Sequence, residues 1–92
     1  MNMITMAALI SKGYNPKHVG TWYLASAIEH TARTRRPLAM TKELYPQVAK
    51  EHGTTAVAVE RGMRTAIRNA EPGQTNAEVV RRMAAEWKAD ED

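Results

Sequence analysis

Residues 54–70 read TTAVAVERGMRTAIRNA, and the fold turns on this run. Val59, Met63 and Ile67 recur every four positions, the spacing of a helix that packs on a core by one face. Ala56, Val57, Glu60, Arg61 and Arg64 point away from that stripe, and Arg68 follows further along. An i,i+4 pair such as Glu60–Arg64 is what an ordinary solvated face carries. It does not account for the other cations on or beside this helix: Lys42, Lys50 and the run RTRR at 33–36.

Just upstream, His52-Gly53-Thr54 leaves room for only a tight turn, with a glycine able to take positive φ. Thr41 is placed to cap a helix over TKELYPQVAKEH, with Leu44, Val48 and Ala49 inward, and Pro46 either confines that helix or puts a defect in its first turns. Ala49 is small enough for a second helix to cross closely, and Thr54 or Thr55 can cap that second helix. Val59 then packs into the angle. Small residue, glycine turn and later β-branched residue together describe a helix-turn-helix over about 41–70. Many αα-corners share the pattern; the charge on the outward face is what favours DNA.

The remaining segments also read helical. MITMAALIS forms a short apolar helix at 3–11 that stops at Gly13. Asn15-Pro16 is a start signal, and the helix after it is expected to face Val19, Tyr23, Ala27 and Ile28 inward as far as about Thr31. Pro37 ends the basic connector. After EPGQ, Thr75 and Glu78 form a capping box for a last helix, with Val79, Met83 and Trp87 on one face. Alternating β-branched runs and hairpin turns are absent. The expectation is an all-α, compact bundle of five helices in one domain over 1–92, with an acidic tail at about 89–92.

The 92 residues carry 13 Lys/Arg, 10 Asp/Glu and a net charge of +3. Charge is unevenly placed: residues 1–70 hold ten cations against four carboxylates, while 71–92 hold three against six. A basic body is an electrostatic footprint for nucleic acid. Cysteine is absent, so neither disulfides nor thiolate metal sites are available. No run approaches the ~18 apolar residues of a membrane span, and a cytoplasmic protein without a signal peptide is expected. His18, His30 and His52 show no metal-ligand spacing, and no nucleophile motif or phosphate-binding loop is present. No catalytic residues, metal or cofactor are expected, and no small-molecule substrate or membrane partner.

The motifs TK-x-LYP-x-x-AK at 41–50 and TTA-x-x-VER-x-x-R-x-AI at 54–67 closely resemble the C-terminal DNA-binding effector domain of the sporulation response regulator, stage-zero sporulation protein A. The likeness runs without gaps from Thr41 to Ile67, thins upstream to Gly13, Gly20, Tyr23-Leu24 and Ala27-Ile28, and returns at Thr75-Asn76, Glu78 and Ala84. It implies a recognition helix that reads a short box of the TGTCGAA kind, often in tandem. Glu60 and Arg61 fall on the family's base-reading pair, and Arg64 on another DNA-contacting position. An arginine fork suits guanine O6/N7, and a glutamate can accept from a cytosine amino group. Lys42, Lys50, Thr54, Thr55 and Arg68 are the candidate contacts to the DNA backbone.

The chain also departs from the family. Val57 and Ala58 stand where the family has Ser and Arg, and Thr65 replaces a His. The family's long segment after the recognition helix is cut to Glu71-Pro72-Gly73-Gln74, so polymerase activation does not carry over. A receiver domain is not found within these residues, which read as a shortened, isolated effector domain. The expected function is sequence-specific binding of double-stranded DNA as a transcriptional regulator, with two copies of the chain pairing as a homodimer on tandem sites. The rival is a protein-interaction module that keeps the fold without sequence-specific DNA binding. Structured RNA is a weaker candidate, since no RNA-module motif is present.

Overall fold

A computed structural model describes the backbone of residues 3–91 and the side chains of residues 5–88. Its elements are α1 (Met3–Ser11), α2 (Val19–Arg33), a π-turn (Met40–Leu44), α3 (Tyr45–His52), α4 (Ala56–Ala70) and α5 (Asn76–Glu91). The described residues thus form five helices and no strand, as the periodicities require.

α2 is the centre of the molecule and packs on α1, α3, α4 and α5. Its sequence explains this position. Leu24 and Ile28 supply bulk, while Gly20, Ala25, Ser26, Ala27 and Ala32 are small residues distributed round the helix and all buried. Only a strip of Val19, Trp22 and Arg33 is exposed; the rest of so apolar a helix is stable only when neighbours cover it. Val48, Val59, Met63, Ile67, Val79 and Val80 close over it and are fully buried.

The start of α2 differs from expectation. Asn15 and Pro16 belong to the turn before the helix: Asn15 Oδ1 accepts from Lys17 N–H at 2.9 Å. Their carbonyls accept from Thr21 Oγ1 (2.8 Å) and Trp22 Nε1 (2.7 Å), so both are committed to tying the turn onto the helix. His18 becomes the N-cap residue, outside the helix it was expected to share with His30. Val19, expected inward, is 57% exposed, and the buried position falls to Gly20.

α3 also begins differently. Thr41 does not cap it; Ala39 is the N-cap residue of a π-turn in which Leu44 N–H reaches back to Ala39 O at 3.0 Å. Pro46, in the first turn of α3, explains the wide turn. Proline has no N–H for the carbonyl four residues back, and its ring presses on that carbonyl. Widening the turn relieves both. The Ala39 N–H, which has no acceptor within the helix, donates to Glu43 Oε1 at 3.0 Å, and Arg36 grips the same carboxylate through both terminal nitrogens.

These bonds to Arg36 and then to the Ala39 amide hold the Glu43 carboxyl down at about 2. The sign follows from a depressed folded-state value: whatever stability the contact provides is present above the ordinary carboxylate value of 4.5 and is lost as pH falls towards about 2. In a carboxyl-resolved NMR titration Glu43 is expected to be among the last glutamates to protonate. A midpoint at the ordinary value would show that the Arg36 clamp does not persist in solution.

Both capping expectations downstream hold. Thr55 Oγ1 accepts from Ala58 N–H at 3.1 Å, and Thr75 and Glu78 exchange both bonds of a capping box at 2.9 and 3.1 Å. α5 buries Val79, Val80, Met83 and Ala84 and continues to Glu91; Asp92 lies outside the described residues.

Candidate nucleic-acid interface

The turn between α3 and α4 is set by one residue in left-handed conformation. Gly53 takes φ 64°, ψ 38°, and its amide and that of Thr54 both turn back to Ala49 O. Ala49 and Val48 are buried beneath the turn, and Val59 fills the angle with no exposure. This is the arrangement the spacing implied.

Four sets of contacts then fix α3 and α4 in place. The first is a backbone crossing: a β-carbon built on Gly20 would lie 1.9 Å from Gly62 O. α2 and α4 therefore touch main chain to main chain. A glycine inside a helix costs ~0.5–1 kcal/mol relative to alanine, and two of them at one crossing are explained by this approach. Second, Asn76 Nδ2 donates to Tyr45 Oη (3.0 Å) and to the Glu60 carbonyl (3.2 Å), joining α3, α4 and the start of α5. Third, the end of α4 is held by Glu71, whose carboxylate accepts from Tyr14 Oη and from Arg82 Nη2. Burial first, and then the hydrogen bond to Glu71, push the Tyr14 hydroxyl upward, so it remains a donor. Fourth, α3 is pinned to α2 by Ser26–His52 and His30–Glu51 bonds, both 2.8 Å, with the Tyr23 and His52 rings edge to face.

Asn76 carries a measurable share of this positioning. Removing a part-buried donor that serves two acceptors leaves both short of a partner, at ~1–3 kcal/mol. Asn76→Ala is expected to lower the urea midpoint accordingly. An unchanged midpoint would show that water replaces the amide.

The outward face of α4 is assembled as follows. At the ~100° step of an α-helix, Val57, Arg61, Arg64 and Arg68 fall in a sector of roughly 60°, with Glu60 at its edge. Val57, Arg61, Arg64 and Arg68 are exposed, and Glu60 is half-buried. Ala56, read as outward, instead packs partly against the core. Arg64 Nη2 lies 3.5 Å from Glu60 Oε2, an exposed i,i+4 contact of ordinary weakness. Arg61 and Arg68, and Lys42 and Lys50 before them, have no ion pair or hydrogen bond among the described residues. Of the cations elsewhere, Arg36 pairs with Glu43, Arg82 with Glu71, Arg33 with Glu29 and Lys12 with Glu86, while Lys17, Arg35 and Arg81 carry no ion pair among the described residues.

The connector RTRR was counted among the cations beside α4. Arg33 and Arg36 are spent on carboxylates, which leaves Arg35 unpartnered there. Thr55 uses its oxygen on the helix cap, so its hydroxyl proton is what it has to offer a phosphate. Thr54, beside it, is half-buried. Sequence reasoning singled out neither Gly62 nor the linking role of Asn76. Paired helix-interior glycines were the available signal for the first, and nothing local signals the second.

Among the described residues, no group of three or more His, Asp or Glu could hold a metal ion. No helix of the described residues is long and apolar enough to cross a membrane. The family model described as sporulation initiation factor Spo0A C terminal matches residues 5–91.

Proposed function

The chain belongs to the Spo0A C-terminal family, a family of DNA-binding regulator domains, and on that premise we propose that it binds double-stranded DNA sequence-specifically through α3 and α4. The observation that carries this reading is the unpartnered state of Arg61 and Arg68 on a helix face that nothing in the fold covers. A cation left with solvent and counterions gains most when a phosphate or base edge replaces them, through counterion release.

In this reading α4 lies in the major groove. Arg61 spans O6 and N7 of a guanine, Glu60 accepts from a cytosine amino group, and Arg64 reaches a neighbouring base. The Glu60–Arg64 contact, at 3.5 Å, is loose enough for both to exchange partners on binding. Arg68 lies ~10 Å further along the axis than Arg61 and meets the backbone instead. Lys42 and Lys50, at the two ends of the preceding helical segment, with Thr54 and Thr55 at the turn, hold phosphates and set the register.

Mobility shift against random and TGTCGAA-containing duplexes over a salt series tests the reading. A specific reader keeps its box in excess competitor DNA. Loss of the box to competitor would reduce the function to non-specific binding, and absence of any shift would favour an interaction module.

A further inference from the structure

We propose that Val57 is a specificity-determining residue that reads the 5-methyl group of a thymine in the major groove. The inference rests on the base-reading assignment of α4 and extends it to an apolar position on the same face.

Val57 is 61% exposed, more than Ile10 (47%), Val19 (57%) or Trp22 (36%). Its exposure serves no need of the fold. The cap of α4 is made by Thr55, the core contacts of the first turn by Ala56 and Val59, and the turn geometry by Gly53. A β-branched side chain on a solvated helix surface is also a poor helix former, so the position is worse for the isolated domain than alanine or glutamate.

Its place on the helix gives the exposure a meaning. Val57 stands in the first turn of α4, one turn before Arg61 and in the same outward sector. The N-terminal residues of a groove-inserted helix are the ones that meet base edges. Around Val57 the sector is otherwise polar, consisting of Glu60, Arg61, Arg64 and Arg68. An isopropyl group can satisfy no donor or acceptor on a base edge. The one apolar feature on the floor of the major groove is the thymine methyl, and apolar side chains are what contact it. From Val57 to Arg61 the helix rises ~6 Å, so the thymine should lie one or two base pairs from the guanine that Arg61 reads. Val57 thereby distinguishes thymine from cytosine, which lacks the methyl, at a position no charged neighbour could resolve.

The test uses the full chain and a duplex of its preferred sequence, obtained by selection from a random pool. Each thymine on either strand is replaced in turn by deoxyuridine, which removes the methyl and keeps the base pair. Loss of one buried methyl corresponds to a weakening of about three- to fivefold. We expect that loss at one position, one or two base pairs from the guanine at which Arg61→Ala loses preference. Val57→Ser, whose folding is checked by thermal melting, should bind the thymine and deoxyuridine duplexes equally. Lys50→Ala should weaken both and keep their ratio. A selected site with no sensitive thymine, or a sensitivity that Val57→Ser retains, overturns the inference while leaving the base-reading assignment intact. Failure to select any preferred sequence overturns that assignment and this inference with it.

Discussion

Gly20→Ala is expected to destabilise the domain by more than ~4 kcal/mol, beyond the range of ordinary substitutions. The added β-carbon would lie 1.9 Å from Gly62 O, 2.4 Å from its carbonyl carbon and 3.1 Å from its Cα. All three are main-chain atoms of α4, so no side chain can swing aside; the two helices must separate. A domain of this size has a total stability of about 5–14 kcal/mol, so the substitution threatens folding itself. At ~4–8 °C per kcal/mol it should lower the melting temperature by at least ~16 °C, if a transition survives. Gly62→Ala should cost less. Its β-carbon meets Tyr23 Cδ2 at 2.9 Å and Cε2 at 3.1 Å, atoms of a ring with some freedom to tilt, and comes no nearer to the α2 backbone than 3.3 Å. Denaturant melts of both variants check the order. A Gly20→Ala protein within ~1 kcal/mol of the parent would show that the crossing is looser than described.

The second large effect concerns DNA. Arg61→Ala and Lys50→Ala should fail in different ways. Neither side chain has a partner among the described residues, so both variants should keep the parent's stability within about 0.5 kcal/mol. Any change in binding then belongs to the interface. A bidentate arginine–guanine contact contributes roughly 1–3 kcal/mol of discrimination, or about 5- to 150-fold. Arg61→Ala is expected to lose preference by that factor at one or two base pairs. Lys50, on α3, should touch phosphate. Lys50→Ala is therefore expected to weaken matched and mismatched duplexes alike and to shallow the log–log salt slope by about one. Isotherms on both duplexes at several salt concentrations separate the two. If Arg61→Ala keeps full preference, α4 does not read bases through this residue.

Much of the fold was legible because its signals are local. The Val59, Met63 and Ile67 stripe, the glycine turn at Gly53 and the Thr75–Glu78 box each lie within one or two helical turns, and each was found as read. What failed was decided by side-chain bonds and packing that periodicity does not show. Asn15-Pro16 is a strong start signal, yet the carbonyls it offers are taken by Thr21 and Trp22, and the helix begins at Val19. The buried position passed from Val19 to Gly20 because only glycine can approach Gly62. The candidate site divides similarly. Exposure of Arg61, Arg64 and Arg68 follows from periodicity, but which cations are neutralised depends on tertiary neighbours. Arg36 resembles Arg35 in sequence, and only the fold brings Glu43 to one of them.

The packing of every other described helix on α2 has a consequence for hydrogen exchange. The described helices all lean on it, so its amides cannot be exposed by peeling away one neighbour; they open only when the whole domain does. Their exchange rate therefore measures the global unfolding equilibrium, while the ends of α1 and α5 exchange through local fraying. A ligand that binds only the native state slows that opening by the factor 1 + [L]/Kd. Amides of Leu24 and Ile28, remote from the outward face of α4, should thus slow by the same factor as one another when a duplex is added. The slowing yields the dissociation constant without a label on either molecule. The most deeply buried helix becomes the gauge of what the surface holds.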